Sequence, residues 1–323
     1  MALNRENRQS AVALIAAAAI FLLAPITSAQ RKQGEIVVTG DEVTILVTAH
    51  PHNDRAREIA AKLLPDDFVV LEEKRKQRVI SVKNASESSP IVAVLIQDNL
   101  VSHVNNEIEG VKNFIRQLPE GSRVMTSYVT AGSLRVAQDF TTDRECASDS
   151  LRVVAGSGSA APFNPYVEVI EALRRFDSQP QGRRIILLVS DGLDVSRGLR
   201  GGGPLFSLDL ERAISEAQHH GVAVFSFYAP AAGLTSWNRL AVSYGQGSLN
   251  RLADETGGVA FFSGTSFVSF DPYFKELNKL LGLQWLISYR SSNTGEGFRR
   301  IEVTTDYDLR LRHPAGYRPR GDD

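Results

Sequence analysis

Two unbroken apolar runs, each closed by an aspartate, constrain this chain more than anything else in it. Ile91 to Gln97 reads I-V-A-V-L-I-Q and ends at Asp98; Arg184 to Ser190 reads R-I-I-L-L-V-S and ends at Asp191-Gly192. Runs of this length without polar alternation are the pattern of strands buried on both faces of a parallel sheet. In such sheets ligands bind beyond the carboxyl ends of the strands. Asp98, Asn99, Ser102 and Asp191 therefore fall on one functional edge.

The segments between these runs alternate strand with helix. Val104 to Leu118 carries an apolar face at helical spacing, and Pro119-Glu-Gly121 ends it. Arg123–Thr130 and Ser133–Phe140 read as a hairpin about Gly132, which places one antiparallel strand at the sheet edge. Thr142 to Val154 reads as a helix with Thr142 as N-cap, and Tyr166 to Phe176 as the next. Leu208 to His220 is a helix closed by Gly221, followed by a strand over Val222–Tyr228. The stretch 229–247 reads as irregular, Leu249–Glu255 as a short helix, Val259–Phe262 as a strand and Phe274–Leu281 as the last helix. Strands alternating with helices over so long a stretch predict an α/β fold, a doubly wound and mostly parallel sheet with helices on both faces. The flanking segments, 30–84 and 283–318, are rich in β-branched and alternating residues. They predict a small β-rich unit made from the chain ends, the two segments pairing with each other, with 319–323 as a tail.

Residues 1–29 have a different character. Arg5 and Arg8 precede an apolar block, Ala11 to Ala24, and Thr27-Ser28-Ala29 supplies small residues. This is the pattern of a secretory signal peptide cut after Ala29, which predicts a secreted or periplasmic protein with no membrane span after cleavage. The single cysteine, Cys146, excludes an intrachain disulfide and a cysteine metal cage, and is expected to be a partly buried structural thiol. With a net charge of −1 over 323 residues, composition gives no support to nucleic-acid binding.

The order strand, Asp98-x-Leu100-x-Ser102, helix, and later strand, Ser190-Asp191-Gly192, resembles the von Willebrand factor A (VWA) domain, over Ile91 to Leu281. Leu64-Pro-Asp-Asp67, Leu252-Ala-Asp-Glu-Thr-Gly257-Gly258, Ser288-Tyr289 and Arg312-x-Pro-x-Gly316-Tyr317 are similar to phrases of a secreted bacterial group, the VWFA-related proteins. The resemblance implies a VWA-like domain over 90–282 and a metal-ion-dependent adhesion site at Asp98, Ser102 and Asp191. Such a site holds Mg²⁺ or Mn²⁺ through hard oxygen ligands. Two positions depart from the family pattern. Leu100 stands where the first serine belongs, and Val167 where a threonine belongs, with Asn164, Ser159 and Glu168 as the nearest polar substitutes. Two oxygen ligands are thereby lost, and the site is expected to be degenerate.

The function expected is non-enzymatic binding of a protein partner through the top-face loops. Asn99, Asn164 and Asp194 are the polar residues placed to touch it, and the loops 192–204 and 229–247 carry further recognition. An envelope hydrolase using the same edge, and a purely structural envelope component, are the alternative readings. Gly156-Ser-Gly-Ser159 lacks the nucleophile-elbow pattern, and His50, His52, His219 and His220 read as turn and helix-end residues. Arg320-Gly-Asp322 reads as part of a polar terminus.

Overall fold

The computed structural model describes residues 42–84, 87–158, 161–262, 269–295 and 297–319. The segment 1–29, expected to be a signal peptide, Ser159 and the Arg320-Gly-Asp322 tripeptide lie outside them. In chain order the elements are β1 (Glu42–His50), α1 (Asp54–Ala60), β2 (Val69–Glu72), β3 (Arg75–Lys76), β4 (Arg78–Asn84), β5 (Ile91–Gln97), α2 (Ile108–Gln117), β6 (Arg123–Thr130), β7 (Ser133–Thr141), α3 (Arg144–Asp149), α4 (Tyr166–Arg174), β8 (Arg184–Ser190), α5 (Leu208–His220), β9 (Val222–Tyr228), α6 (Arg239–Thr256), β10 (Ala260–Phe261), α7 (Asp271–Gly282), β11 (Gln284–Arg290), β12 (Arg299–Thr304), β13 (Arg310–Arg312) and β14 (Gly316–Tyr317).

Six strands form the central sheet in the order β10-β9-β8-β5-β6-β7. All neighbours run parallel except β6 and β7, which form the antiparallel edge hairpin. β5 and β8 are central neighbours, with Ile91 opposite Arg184 and Ile96 opposite Val189. Every residue of β5, β8 and β9 is buried, as expected of strands covered on both faces. Val92, Val94 and Ile96 of β5 pack on α2, α3 and α7. Ile91, Ala93 and Leu95 point the other way, onto α4, α5 and α6. The alternation follows from the two-residue period of a strand, and it produces the doubly wound layering.

The two flanking segments meet. β1 pairs antiparallel with β11, and β2 with β12, giving two four-stranded sheets, β13-β1-β11-β4 and β14-β12-β2-β3. Val43, Ile45 and Val47 share a core with Phe68, Val70, Trp285, Ile287, Ile301 and Val303. At its centre is a carboxylate. Glu72, 1% exposed, accepts hydrogen bonds from the hydroxyls of Tyr289 (2.9 Å), Ser291 (2.7 Å) and Tyr317 (3.1 Å). The Arg299 guanidinium donates to Ser291 and Tyr317 around it. A buried charge is tolerable only when so surrounded.

Two elements differ from expectation for identifiable reasons. The helix expected over 142–154 is only α3, capped by Asp143, whose carboxylate accepts from the Cys146 N–H. The residues after it leave the helix to reach Asp98. Conversely, the second half of the stretch 229–247 expected to be irregular belongs to α6, which Asn238 caps. Gly245 and Gly247 look like helix breakers but serve close approach. A β-carbon on Gly245 would lie 2.0 Å from the Asp191 carbonyl oxygen, and one on Gly247 would lie 3.2 Å from Pro204. Cys146 is exposed rather than partly buried.

Candidate functional site

The carboxyl ends of β5, β8 and β9 and the loops after them build the upper edge of the sheet. At this edge β5 delivers Asp98, 4% exposed. Its backbone is fixed on both sides: Asp98 N–H donates to the Val129 carbonyl, and its own carbonyl accepts from Gly156 N–H. Its carboxylate is taken by Arg152. Nη1 donates to Oδ1 and Nη2 to Oδ2, each at 2.8 Å, and the Ala155 N–H adds a third bond to Oδ1 at 2.9 Å. Burial pushes the Asp98 carboxyl up, but the Arg152 and Ala155 hydrogen bonds outweigh it and hold it below the usual carboxylate range.

Arg152 is itself held in place. Its guanidinium carbon lies 4.0 Å from the centre of the Tyr128 ring, a cation–π contact. The Tyr128 hydroxyl donates to the Arg152 carbonyl at 2.7 Å and accepts from its N–H at 2.6 Å. Nη1 also donates to the Val153 carbonyl. The side chain is 41% exposed while its aspartate partner is sealed beneath it.

Asp191, after β8, is also buried and fully used. Leu193 N–H donates to Oδ1 at 3.2 Å, and the Thr235 hydroxyl donates to Oδ2 at 2.9 Å. Burial raises its carboxyl despite these bonds. Gln97 ties the two aspartate loops together. Its Oε1 accepts from the Ser190 hydroxyl (2.6 Å) and the Asp191 N–H (3.2 Å), while its Nε2 donates to Asn99 Oδ1 (2.7 Å).

The remaining sequence candidates have structural work. Leu100 is wholly buried in the core and bridges to Ala231, so the apolar replacement became a packing residue. Ser102 opens a 3-10 turn over Ser102–Glu107 and is exposed. Asn164 caps the start of α4, accepting from Tyr166 N–H and Val167 N–H, and donates to Asp209. Asp194 organises its loop, accepting from Ser196 N–H, the Ser196 hydroxyl and the Ser207 hydroxyl. The carbonyl of Asp194 also lies 1.9 Å from where a β-carbon on Gly202 would sit. Asn99, Asn164 and Asp194 are each under 5% exposed, so none presents its side chain freely at the surface.

These residues do not fit a divalent-ion shell. Both Asp98 oxygens bind a guanidinium, both Asp191 oxygens accept protein donors, and the side chains of Leu100 and Val167 carry no oxygen. Among the described residues no group of three or more His, Cys, Asp and Glu is placed to hold a metal. Arg152, which the sequence analysis passed over, supplies the positive charge beside Asp98. A visible signal existed: it is the one charged residue between Asp149 and Pro165.

What the loops do expose is apolar. Phe163 (72% exposed), Leu205 (78%), Phe206 (66%) and Trp237 (71%) all lie on the loops of this edge, as does the exposed Val153. Large exposed apolar side chains of this kind are a common feature of protein-binding surfaces.

The sheet order, the single antiparallel edge strand and the aspartates after β5 and β8 define a VWA-type α/β fold. Solved structures similar to the chain include BatB from Bacteroides thetaiotaomicron, 16% identical, covering 59% of this chain and 98% of that one, with a TM-score of 0.36. The VWA domain of SpRpn10 is 11% identical over 60% of this chain and 93% of its own, with a TM-score of 0.40. The manganese-loaded TRAP protein of Plasmodium vivax is 11% identical over 78% of this chain and 100% of its own, with a TM-score of 0.36. No protein-family model and no curated protein matches the chain. Among the described residues no helix is long and apolar enough to cross a membrane.

Proposed function

We propose that the chain is a non-enzymatic protein-interaction domain that binds its partner through the upper-edge loops without a divalent ion at Asp98. The observation that carries this reading is the set of exposed apolar residues on those loops, which also carry the partly exposed Arg152. Aromatic side chains and arginine are the residues enriched at the energetic centres of interfaces. Asp98 and Asp191 then act as internal braces: each holds its own loop, and Arg152 neutralises Asp98 where a cation would otherwise be needed. A secreted or periplasmic location, set by the segment 1–29, belongs to the same proposal.

The test is site-specific photocrosslinking in the producing cell, with the crosslinking residue placed in turn at Leu205, Trp237, Ile80 and Tyr307. All four positions are exposed, and the last two lie on the unit built from the chain ends. A discrete protein adduct from Leu205 and Trp237 alone supports the proposal. Adducts equal at all four positions, or absent at the first two, contradict it.

A further inference from the structure

We infer that the upper edge recognises acidic, apolar protein segments, with Arg152 receiving a carboxylate of the partner; this rests on the interaction face proposed above. The argument is one of charge segregation. The loops 98–102, 151–165, 191–207 and 229–239 contain three carboxylates, Asp98, Asp191 and Asp194, and all three are buried and hydrogen-bonded inside the protein. The same loops contain Arg152, Arg197, Arg200 and Arg239, and all four are exposed. Although the chain has a net charge of −1, the charged side chains exposed on these loops are all positive, and the same loops expose Phe163, Leu205, Phe206 and Trp237.

The hydrogen bonds of Arg152 leave a defined opening. Its end-on pair, Nη1 and Nη2, is spent on Asp98, and the outer Nη1 proton on the Val153 carbonyl. Nε–H and the outer Nη2–H, which form the side-on fork of a planar guanidinium, have no partner among the described residues. That fork matches a carboxylate geometrically. Stacking on Tyr128 and the grip of Asp98 hold the plane fixed, so little side-chain entropy remains to be lost on binding. Because Asp98 lies beneath the guanidinium, Arg152 gives direction more than net charge. Arg197, Arg200 and Arg239 supply the wider positive field that steers an acidic partner inward.

A random peptide library displayed on phage and selected on the immobilised chain tests this. The expected result is peptides in which Asp or Glu neighbours Leu, Phe or Trp. Their binding should vanish with the double change Leu205→Ser, Phe206→Ser and weaken at least tenfold when their acids are changed to Gln. Arg152→Gln should weaken it at least tenfold, as should the double change Arg197→Gln, Arg200→Gln, which touches no internal hydrogen bond and guards against misfolding of the first variant. Peptides that need Leu205 and Phe206 but carry no acids, or ignore the arginine changes, overturn the acidic preference and leave the interaction face standing. Absence of any peptide dependent on Leu205 and Phe206 overturns both. Arginine-dependent binding to phosphatidylglycerol vesicles in place of peptides also overturns it, assigning the face to an anionic membrane instead.

Discussion

Arg152 lies on Asp98 with both guanidinium amino groups 2.8 Å from the two carboxylate oxygens, and the pair closes the upper end of the first strand of the central sheet. The contact joins two loops more than fifty residues apart in the chain. It accounts for three features together: a carboxylate held below the usual range although sealed, a chain that leaves α3 after Asp149, and an upper-edge aspartate whose charge is met from within the chain. A guanidinium on a tether does locally what a bound cation would do, without an open coordination position.

Removing the arginine leaves Asp98 as an uncompensated buried charge. Arg152→Met is expected to cost about 2 kcal/mol, below the 3–5 kcal/mol typical of a fully buried pair because Arg152 is partly solvated. Adding Asp98→Asn to that variant should recover part of the loss. Urea denaturation of the two singles and the double gives the coupling; strict additivity would show that the two side chains do not interact.

The same pair predicts acid sensitivity. The folded carboxyl of Asp98 sits below its unfolded value, so its stabilising contribution is complete above the unfolded pKa near 4 and is lost as pH falls through the folded one. Unfolding profiles between pH 5 and 2 should lose this portion of their slope in Asp98→Asn.

Glu168 behaves oppositely. It is 2% exposed on α4, its Oε2 has no hydrogen-bond partner, and burial followed by repulsion from Glu171 and Asp209 raises its carboxyl to about 7. A raised acid binds its proton more tightly folded than unfolded, so stability falls as pH rises from about 4.5 through 7. Glu168→Gln is expected to raise the melting temperature at pH 8 and leave it nearly unchanged at pH 4. An equal effect at both pH values would contradict the assignment.

The glycine contacts give a sharp steric prediction. Gly245→Ala would drive a β-carbon into the Asp191 carbonyl oxygen, 2.0 Å away, and backbone cannot yield as a side-chain tip can. A loss of about 3 kcal/mol or more is expected, against roughly 1 kcal/mol gained by an ordinary Gly→Ala exchange inside a helix. Thermal melts of the variant decide the sign.

In the unit built from the two flanking segments, Glu72→Ala should leave the hydroxyls of Tyr289, Ser291 and Tyr317 without their shared acceptor, and Arg299 without the carboxylate 4.0 Å away. A cost of about 3 kcal/mol is expected, read as an earlier unfolding transition in denaturant.

The sheet was legible because fully buried strands declare themselves: β5 and β8 are apolar at every central position, and the Leu208–His220 helix ends at Gly221 with the positive φ of 63° that favours glycine. The α6 start was not legible, since Gly245 and Gly247 carry the local signature of a loop while the reason for their presence lies across space in Asp191 and Pro204. The site was partly legible. Asp98 and Asp191 stand at the strand ends where the pattern put them, and the missing oxygen at Leu100 pointed to an altered site. Arg152 escaped notice because its partner is distant in sequence and its own segment read as helix, where it would have been one more surface charge. Asn164 and Asp194 are polar for local reasons, capping a helix and bracing a loop, which a sequence cannot separate from recognition.

The central claim is that a guanidinium, not a divalent ion, organises this edge. Calorimetric titration of the chain with Mn²⁺ and Mg²⁺, beside Asp98→Ala, tests it most directly. The account predicts no saturable binding in either protein. Saturable binding in the parent chain that disappears in Asp98→Ala would mean that Arg152 yields its place to a metal, and would contradict it.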